Sequence, residues 1–463
     1  MKTNLSRSLS ILLTLLLAAC GPLTPMPTIT PSATASVPSS TPTLPPTETP
    51  TPAPQQPPAC TFPLAQTTME ESKPEQYTFS EPEGLPNSSA LINIIEWLPD
   101  SQKVLITRDI SNTTNENIEL FNPQTGETHI YAVRKANMWF PPLWIEKLKS
   151  VIYSDILIIS SSYDNNGKVI SSSIVEKHQV RLSRGNPNNT QIFEDVQYSP
   201  AIMPHEWIIS SLAVNPNSSQ IVYLKSNGEQ PYQLYSRLIS NETLEAEQQS
   251  KIQWINSGER SPFEVPYKMS WRTNSSQTFF YSPGSFTNQT LLLDNDSGQV
   301  CTLSLGGWVY VARWSPNGRY LAAITSKGSH YPLSENYDLV VLDMASGILY
   351  PIDSTKVGPP EMKDCCRHII SEITWAPDNR HLAIVGTATF SGTANNTYKP
   401  IATLYLVDFL SGKVDNPFPQ YEFNPNLGSG LAWSPDGLKL LATCSTETKN
   451  GLCLVPVQRT PSP

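Results

Sequence analysis

Hydrophobic and polar residues divide the chain into three unlike stretches. The first holds one apolar run, Leu9 to Leu17, behind Lys2 and Arg7. The second, Pro22 to Pro58, is dominated by proline and threonine and contains a single charged residue, Glu48. It shows neither a helical nor a strand period, and so predicts no packed element. The third, from about Gln76 onward, is a succession of short apolar runs closed by Pro, Asn, Asp or Gly. Runs of that length with turn residues at both ends predict antiparallel strands, and nowhere is a helical period sustained.

Within the third stretch one pattern repeats. Trp314-Ser315-Pro316-Asn317-Gly318 followed by Tyr320 to Ile324 returns as Trp375-Ala376-Pro377-Asp378-Asn379 followed by His381 to Val385. It returns again as Trp433-Ser434-Pro435-Asp436-Gly437 followed by Lys439 to Thr443. Weaker copies begin at Trp97, Val214 and Trp271, and at Trp144 only the tryptophan and the run Val151 to Tyr153 keep register. Each copy predicts a strand ending at the tryptophan, a tight turn and a second strand in hairpin register. A further Asx-x-x-Ser/Thr-Gly or closely related turn follows in four copies: Asn122 to Gly126, Asp294 to Gly298, Asp343 to Gly347 and Asp408 to Gly412. Two hairpins per copy make a four-stranded antiparallel unit.

A four-stranded unit in seven copies resembles the TolB type of β-propeller, a relative of WD repeats. The resemblance implies an all-β ring of four-stranded antiparallel blades. Seven blades are expected, with six or eight also compatible because the gap from Trp144 to Val214 is long. The last copy is short, so a strand within Gln76 to Glu83 is expected to complete the final sheet. In such a ring the first and third turns of each blade lie on one face. The middle loops, long at Lys327 to Tyr337 and Ala388 to Lys399, lie on the other with the long link Asp353 to His368. Long polar loops make a default binding face, and the candidate contacts there are His330, Tyr331, Tyr337, Asn395, Asn396 and Tyr398.

The N-terminal run is too short to span a membrane and reads as a signal peptide. Its end, Leu17-Ala18-Ala19-Cys20-Gly21, resembles the lipobox of bacterial lipoproteins, in which the cysteine receives diacylglycerol and a further acyl chain such as palmitate. This implies residues 1–19 as leader, 20–59 as a lipidated Cys20 with a disordered Thr/Pro-rich tether, and 60–463 as the propeller domain. The expected site is the extracytoplasmic side of a cell membrane or envelope, since several acyl chains anchor a protein stably without spanning.

Composition narrows the function classes. There are 31 basic and 40 acidic residues among 463, the formal net charge is −9, and the two basic leader residues are lost from the mature chain, so nucleic acid is not an expected partner. Besides Cys20 the cysteines are Cys60, Cys301, Cys365, Cys366, Cys444 and Cys453. Cys444 and Cys453 would face each other across a hairpin and are the candidate disulfide. Cys365 and Cys366, in Asp364-Cys365-Cys366-Arg367-His368, are expected either to bridge to Cys60 or Cys301 or to stay as thiols. No zinc spacing appears, and Asp294-Asn295-Asp296 and Asp164-Asn165-Asn166-Gly167 lack the closing Glu of a calcium loop.

No nucleophile elbow, phosphate loop, dinucleotide fingerprint or haem motif is present, so no catalytic residue and no cofactor are assigned. The expected function is a lipid-anchored binding or scaffold module that docks a protein or envelope polymer through its long-loop face. The alternative is a lipid-anchored carbohydrate-active hydrolase or lyase with carboxylates in the central channel. Replacing Cys20→Ser should move the protein from the membrane to the soluble or secreted fraction, and persistence at the membrane defeats the lipoprotein assignment.

Overall fold

The structure is a computed structural model. It describes residues 57–64, 75–85, 92–111, 113–135, 140–160, 175–198, 208–226, 233–240, 243–249, 268–281, 290–326, 337–357, 366–390, 402–423, 430–445 and 450–461. Two strands precede the ring proper, β1 (Glu75–Phe79) and β2 (Glu83–Gly84). The first sheet is a meander of β3 (Ile92–Trp97), β4 (Val104–Asp109), β5 (Asn115–Phe121) and β6 (Thr128–Lys135). The second runs β7 (Leu143–Ile145), β8 (Ser150–Ser160), β9 (Val175–Ser183) and β10 (Thr190–Tyr198). The third has β11 (Ile208–Val214), β12 (Gln220–Ser226) and β13 (Gln233–Ser240), with the short β14 (Thr243–Leu244) and β15 (Gln248–Gln249) both on β13.

The fourth sheet is β16 (Lys268–Trp271), β17 (Gln277–Tyr281), β18 (Thr290–Asp294) and β19 (Val300–Thr302). The fifth is β20 (Trp308–Trp314), β21 (Tyr320–Ser326), β22 (Asp338–Asp343) and β23 (Leu349–Ile352). The remaining strands are β24 (Cys366–Trp375), β25 (His381–Phe390), β26 (Ala402–Asp408), β27 (Lys413–Asp415), β28 (Glu422–Phe423), β29 (Leu431–Trp433), β30 (Lys439–Ser445) and β31 (Asn450–Pro461). With β1 and β2 they form one ten-stranded sheet.

The chain is therefore an all-β propeller of four-stranded antiparallel blades, but with five discrete blade sheets rather than seven. The reason is β28. Phe423 pairs with Ala402 of β26 on one side and with Cys444 of β30 on the other. This short strand stitches the run β24-β25-β26-β27 to the run β29-β30-β31-β1.

The core lies between sheets. The first strand of each unit is innermost, for these strands meet in succession: β7 with β11, β11 with β16, β16 with β20, β20 with β24, β24 with β29 and β29 with β3. Buried residues of the first and second sheets pack together (Leu105, Ile118, Trp144, Val151), as do those of the fourth and fifth (Phe279, Leu292, Leu321, Leu342). The series closes where Ile92, Trp97 and Val104 pack on Leu441, Leu452 and Leu454.

The repeat tryptophans link neighbours by hydrogen bonds. Trp314 Nε1 donates to Ser270 O at 3.2 Å, Trp375 Nε1 to Arg313 O at 3.0 Å and Trp97 Nε1 to Ala432 O at 2.9 Å. Each acceptor is the residue immediately before the tryptophan of the preceding copy. Trp271 and Trp144 instead donate within their own turns, to Ser275 O and to Glu146 Oε2. The Trp433 Nε1 is buried without a partner, although its backbone N–H reaches Thr374 Oγ1 at 3.2 Å.

The N-terminal side contributes twice. β1 adds to β31, pairing Tyr77 with Arg459, within the region expected to complete the last sheet. Arg459 forks onto Glu75, and Tyr77 packs edge-on against Trp433. Residues 58–64 lie along β19 and the fifth sheet. Cys60 N donates to Thr302 O, Thr302 N to Pro58 O, Leu64 N to Met344 O, and Arg272 Nη1 to Leu64 O.

Removing one indole N–H from the closing junction should be felt. Trp97→Phe is expected to lower unfolding stability by about 1–2 kcal/mol, the loss of one buried hydrogen bond with its carbonyl stranded. Trp433→Phe, which removes an already unpartnered N–H, should cost less. Urea midpoints of the two variants check this, and an equal or larger loss for Trp433→Phe refutes the latch.

Candidate functional site

The two faces of the ring are built differently. On one lie the turns after the first and third strands, tightened by Asx side chains. Asp378 Oδ1 accepts the N–H groups of Arg380 and His381, each at 3.0 Å, and Asp294 Oδ1 those of Asp296 and Ser297. Such carboxylates are consumed by their own turns. Arg319 forks onto Asp343 and Arg380 onto Asp408, tying the first turn of a unit to the end of its third strand.

Neighbouring turns also interlock. Asn317 N donates to Asn379 Oδ1 at 2.7 Å, Asp436 N to Ser101 Oγ at 3.0 Å, and Glu146 N to Ser218 Oγ at 3.0 Å. Ser101, Ser218 and Asn379 have φ of 55°, 54° and 58°. Left-handed backbone favours glycine, so a side chain persists at these three positions because it bonds the next turn. Where Arg272 Nε instead seeks a backbone carbonyl, at Gly318 O, a Cβ would stand 2.1 Å from Thr273 O.

The connections 161–174, 282–289, 327–336 and 391–401, expected on the opposite face, lie outside the described residues. His330, Tyr331, Asn395, Asn396 and Tyr398 lie outside the described residues, as does Cys20. Tyr337 is described: its N–H donates to His368 O at 3.1 Å, and its ring meets Tyr310 edge-on at 4.7 Å. It is therefore packed at a junction between sheets.

His368 is buried with Nδ1 2.5 Å from Val357 O. Cys365 lies outside the described residues. Cys444 and Cys453 are joined by a disulfide. Cys60 is joined to Cys301, so neither is the partner considered for Cys365 or Cys366. Among the described residues no group of three or more His, Cys, Asp or Glu is placed to hold a metal.

The sequence reading missed a set of charges on the innermost strands: Glu96 on β3, Lys268 on β16, Arg313 on β20 and Glu372 on β24. Glu96 and Glu372 each follow a register break, between Ile94 and Glu96 and between Ile370 and Glu372. Such bulges re-aim side chains. Burial pushes both carboxyls above the ordinary carboxylate range, opposed at Glu372 by Arg313 and Lys268 and at Glu96 by the Trp144 N–H and Arg313. Burial, then the like charge of Arg313, pulls the Lys268 amine down, and Glu372 opposes this. The legible signal was a charged residue one or three positions before a repeat tryptophan.

No family model matches the chain, and no curated protein matches it. Among solved structures it is similar to an oligogalacturonate lyase in complex with manganese, at 11% identity, TM-score 0.48, covering 84% of this chain and 99% of that one. It is similar also to TolB from Acinetobacter baumannii, at 12% identity, TM-score 0.36, covering 77% and 82%. A third is the Cps50 (Swd1) β-propeller domain of Myceliophteria thermophila, at 10% identity, TM-score 0.42, covering 82% and 99%.

The turn face sets an acid limit on stability. Burial raises the Asp408 carboxyl, but hydrogen bonds from Arg380 and Ser411 with the Arg380 charge outweigh it and bring the pKa to about 2. An unfolded Asp titrates near about 4. The folded group is thus depressed, its contribution is complete above pH about 4 and disappears as pH falls toward about 2. Wild type should exceed Asp408→Asn in urea midpoint by a constant margin above pH about 4 that closes below it. A margin unchanged down to pH about 2 contradicts the assignment.

Proposed function

We propose that this protein is an exported, lipid-anchored binding scaffold. The domain is held away from the membrane by Cys20 and the Thr/Pro tether and docks a protein or cell-envelope polymer through its long-loop face. The supporting observation is the asymmetry of the two faces. Turns on one face are short, Asx-capped and bonded to one another, as in Asn317 with Asn379 and Asp436 with Ser101. The opposite strand ends are joined by connections of unequal length, from four residues at 446–449 between β30 and β31 to fourteen at 161–174 between β8 and β9. Variable loops on a rigid frame are the usual carriers of recognition. In this reading the two four-stranded runs of the ten-stranded sheet serve as two further blades, making seven around the axis.

Anchoring through Cys20 is in keeping with the rest of the chain, where no helix among the described residues is long and apolar enough to cross a membrane. The glycan-cleaving alternative is weaker. Its hydrolytic form needs two carboxylates acting on one bond, and one of the axial pair, Glu96, has Oε1 engaged by the Trp144 N–H at 3.0 Å.

Cross-linking and pull-down from native membranes, with Cys20 intact, should recover an envelope partner. Combined alanine replacement of His330, Tyr331 and Tyr398 should weaken that capture by at least about tenfold, the scale of one lost anchor contact. Unchanged capture of every recovered partner sinks the loop-face proposal.

A further inference from the structure

We propose that the centre of the ring binds a zwitterionic group of the α-amino-acid kind, its carboxylate held by Arg313 and Lys268 and its ammonium by Glu372. This site is separate from the loop face and does not depend on Cys20.

The four charged side chains come from the innermost strands of four units, β3, β16, β20 and β24. Lys268 and Arg313 are exposed although their strands lie furthest from the outer rim, so they face the open axis. The field of Arg313 reaches Glu96 on the first sheet, Lys268 on the fourth and Glu372 on the ten-stranded sheet. The strands that carry them are close in the ring, β16 meeting β20, β20 meeting β24, and β29 lying between β24 and β3.

These charges have not neutralised one another. No ion pair joins Lys268 or Arg313 to Glu96 or Glu372, and neither Lys268 nor Glu372 has a hydrogen-bond partner among the described residues. Glu96 is braced by the Trp144 N–H, and Arg313 reaches only the Ala312 carbonyl at 3.2 Å. Burial disfavours the charged form of Glu372, and a carboxylate held there without a partner is costly unless a ligand satisfies it.

The mixed signs select the ligand. A metal cation would meet Lys268 and Arg313, and a phosphate or sulfate would meet Glu372 and Glu96. A group with carboxylate and ammonium close together pairs with both sets and leaves no protein charge stranded. Arginine supplies the planar fork that suits a carboxylate, and Glu372 supplies an acceptor-only partner for an ammonium. Two sources share this chemistry, a free amino acid and a short free peptide whose two charges, at its opposite ends, are further apart.

The test is saturation-transfer NMR titration of the full mature protein in detergent. The probes are L-alanine, D-alanine and L-alanyl-L-alanine, with propionate and ethylammonium as singly charged comparisons. At least one zwitterion should bind with a Kd below about 1 mM, and propionate and ethylammonium at least about tenfold more weakly. Lys268→Met and Glu372→Gln should each weaken the zwitterion by about tenfold or more, while Glu127→Gln on an exposed turn leaves it unchanged. Tighter binding by alanine or by alanylalanine supports the site either way and separates a free amino acid from a short peptide as the ligand. Propionate binding as tightly as alanine, unchanged binding in Glu372→Gln, or no saturation by any zwitterion at about 10 mM overturns the proposal. If Glu372→Gln does not fold, as judged by its urea transition, Lys268→Met alone decides.

Discussion

A four-stranded sheet with two apolar faces has nowhere to hide them except on its neighbours, and the ring must therefore return to its start. Everything else in this molecule depends on that closure. At the junction Ile92, Ile94 and Trp97 of the first sheet bury against Ala432, Leu441 and Leu454 of the last strands. The same junction carries the Trp97 to Ala432 hydrogen bond, the Asp436 to Ser101 bond and the Lys439 Nζ contact to Ser101 O at 3.0 Å. Burial supplies the bulk of the free energy, at roughly 25 cal/mol per Å² of apolar area. The hydrogen bonds add about 1 kcal/mol each but fix the register in which the faces meet. Left open, the two terminal sheets would present apolar faces and unpaired edges, a route to association between copies.

The chain's own N-terminal side guards that closure. β1 completes the run begun by β29, so the last sheet contains both early and late residues and opening it requires separating them. The segment 58–64 is fastened elsewhere, to β19 and the fifth sheet, with Cys60 bonded to Cys301 across a sequence separation of 241 residues. On the chain-entropy view a link of that span contributes about 5 kcal/mol, a model-dependent figure, by restricting the unfolded chain. An exported protein retains such a bond. Under the proposed anchoring, a pull on the N-terminal segment would fall on residues 58–64 before it reached β1, because they precede it in the chain and are fastened separately.

What the sequence revealed follows from which interactions are local. The hairpins were legible because a turn is written in consecutive residues, as in Ser434-Pro435-Asp436-Gly437. The need for an added strand was legible from the shortness of the last copy. The joining of the final two copies was not, because it rests on two residues, Glu422 and Phe423, that pair with strands on either side. Nothing in consecutive residues marks Ser101, Ser218 and Asn379, yet each combines a left-handed backbone with a bond to the neighbouring turn. The axial charges were legible only as a charged residue one or three positions before a repeat tryptophan, and the meaning of each comes only from other strands that the ring brings opposite it.

The distribution of satisfied polar atoms then separates frame from function. A side chain is open to a ligand only where the fold has not already claimed it. On the short-turn face Asp343 serves Arg319, Ser346 and the Ala345 N–H, and Asp408 serves Arg380 and Ser411. Asp436 likewise accepts from Ser434 Oγ and the Leu438 N–H. These acids are numerous and conspicuous in the sequence, but an incoming ligand would have to break a turn to reach them. Along the axis the balance is reversed: among the described residues Glu372 and Lys268 have no hydrogen-bond partner, and burial disfavours the charged form of Glu372. Evolutionary drift toward apolar residues would relieve that cost at once. Their position at the one place where all sheets converge is best understood as the frame being used for binding rather than for its own support.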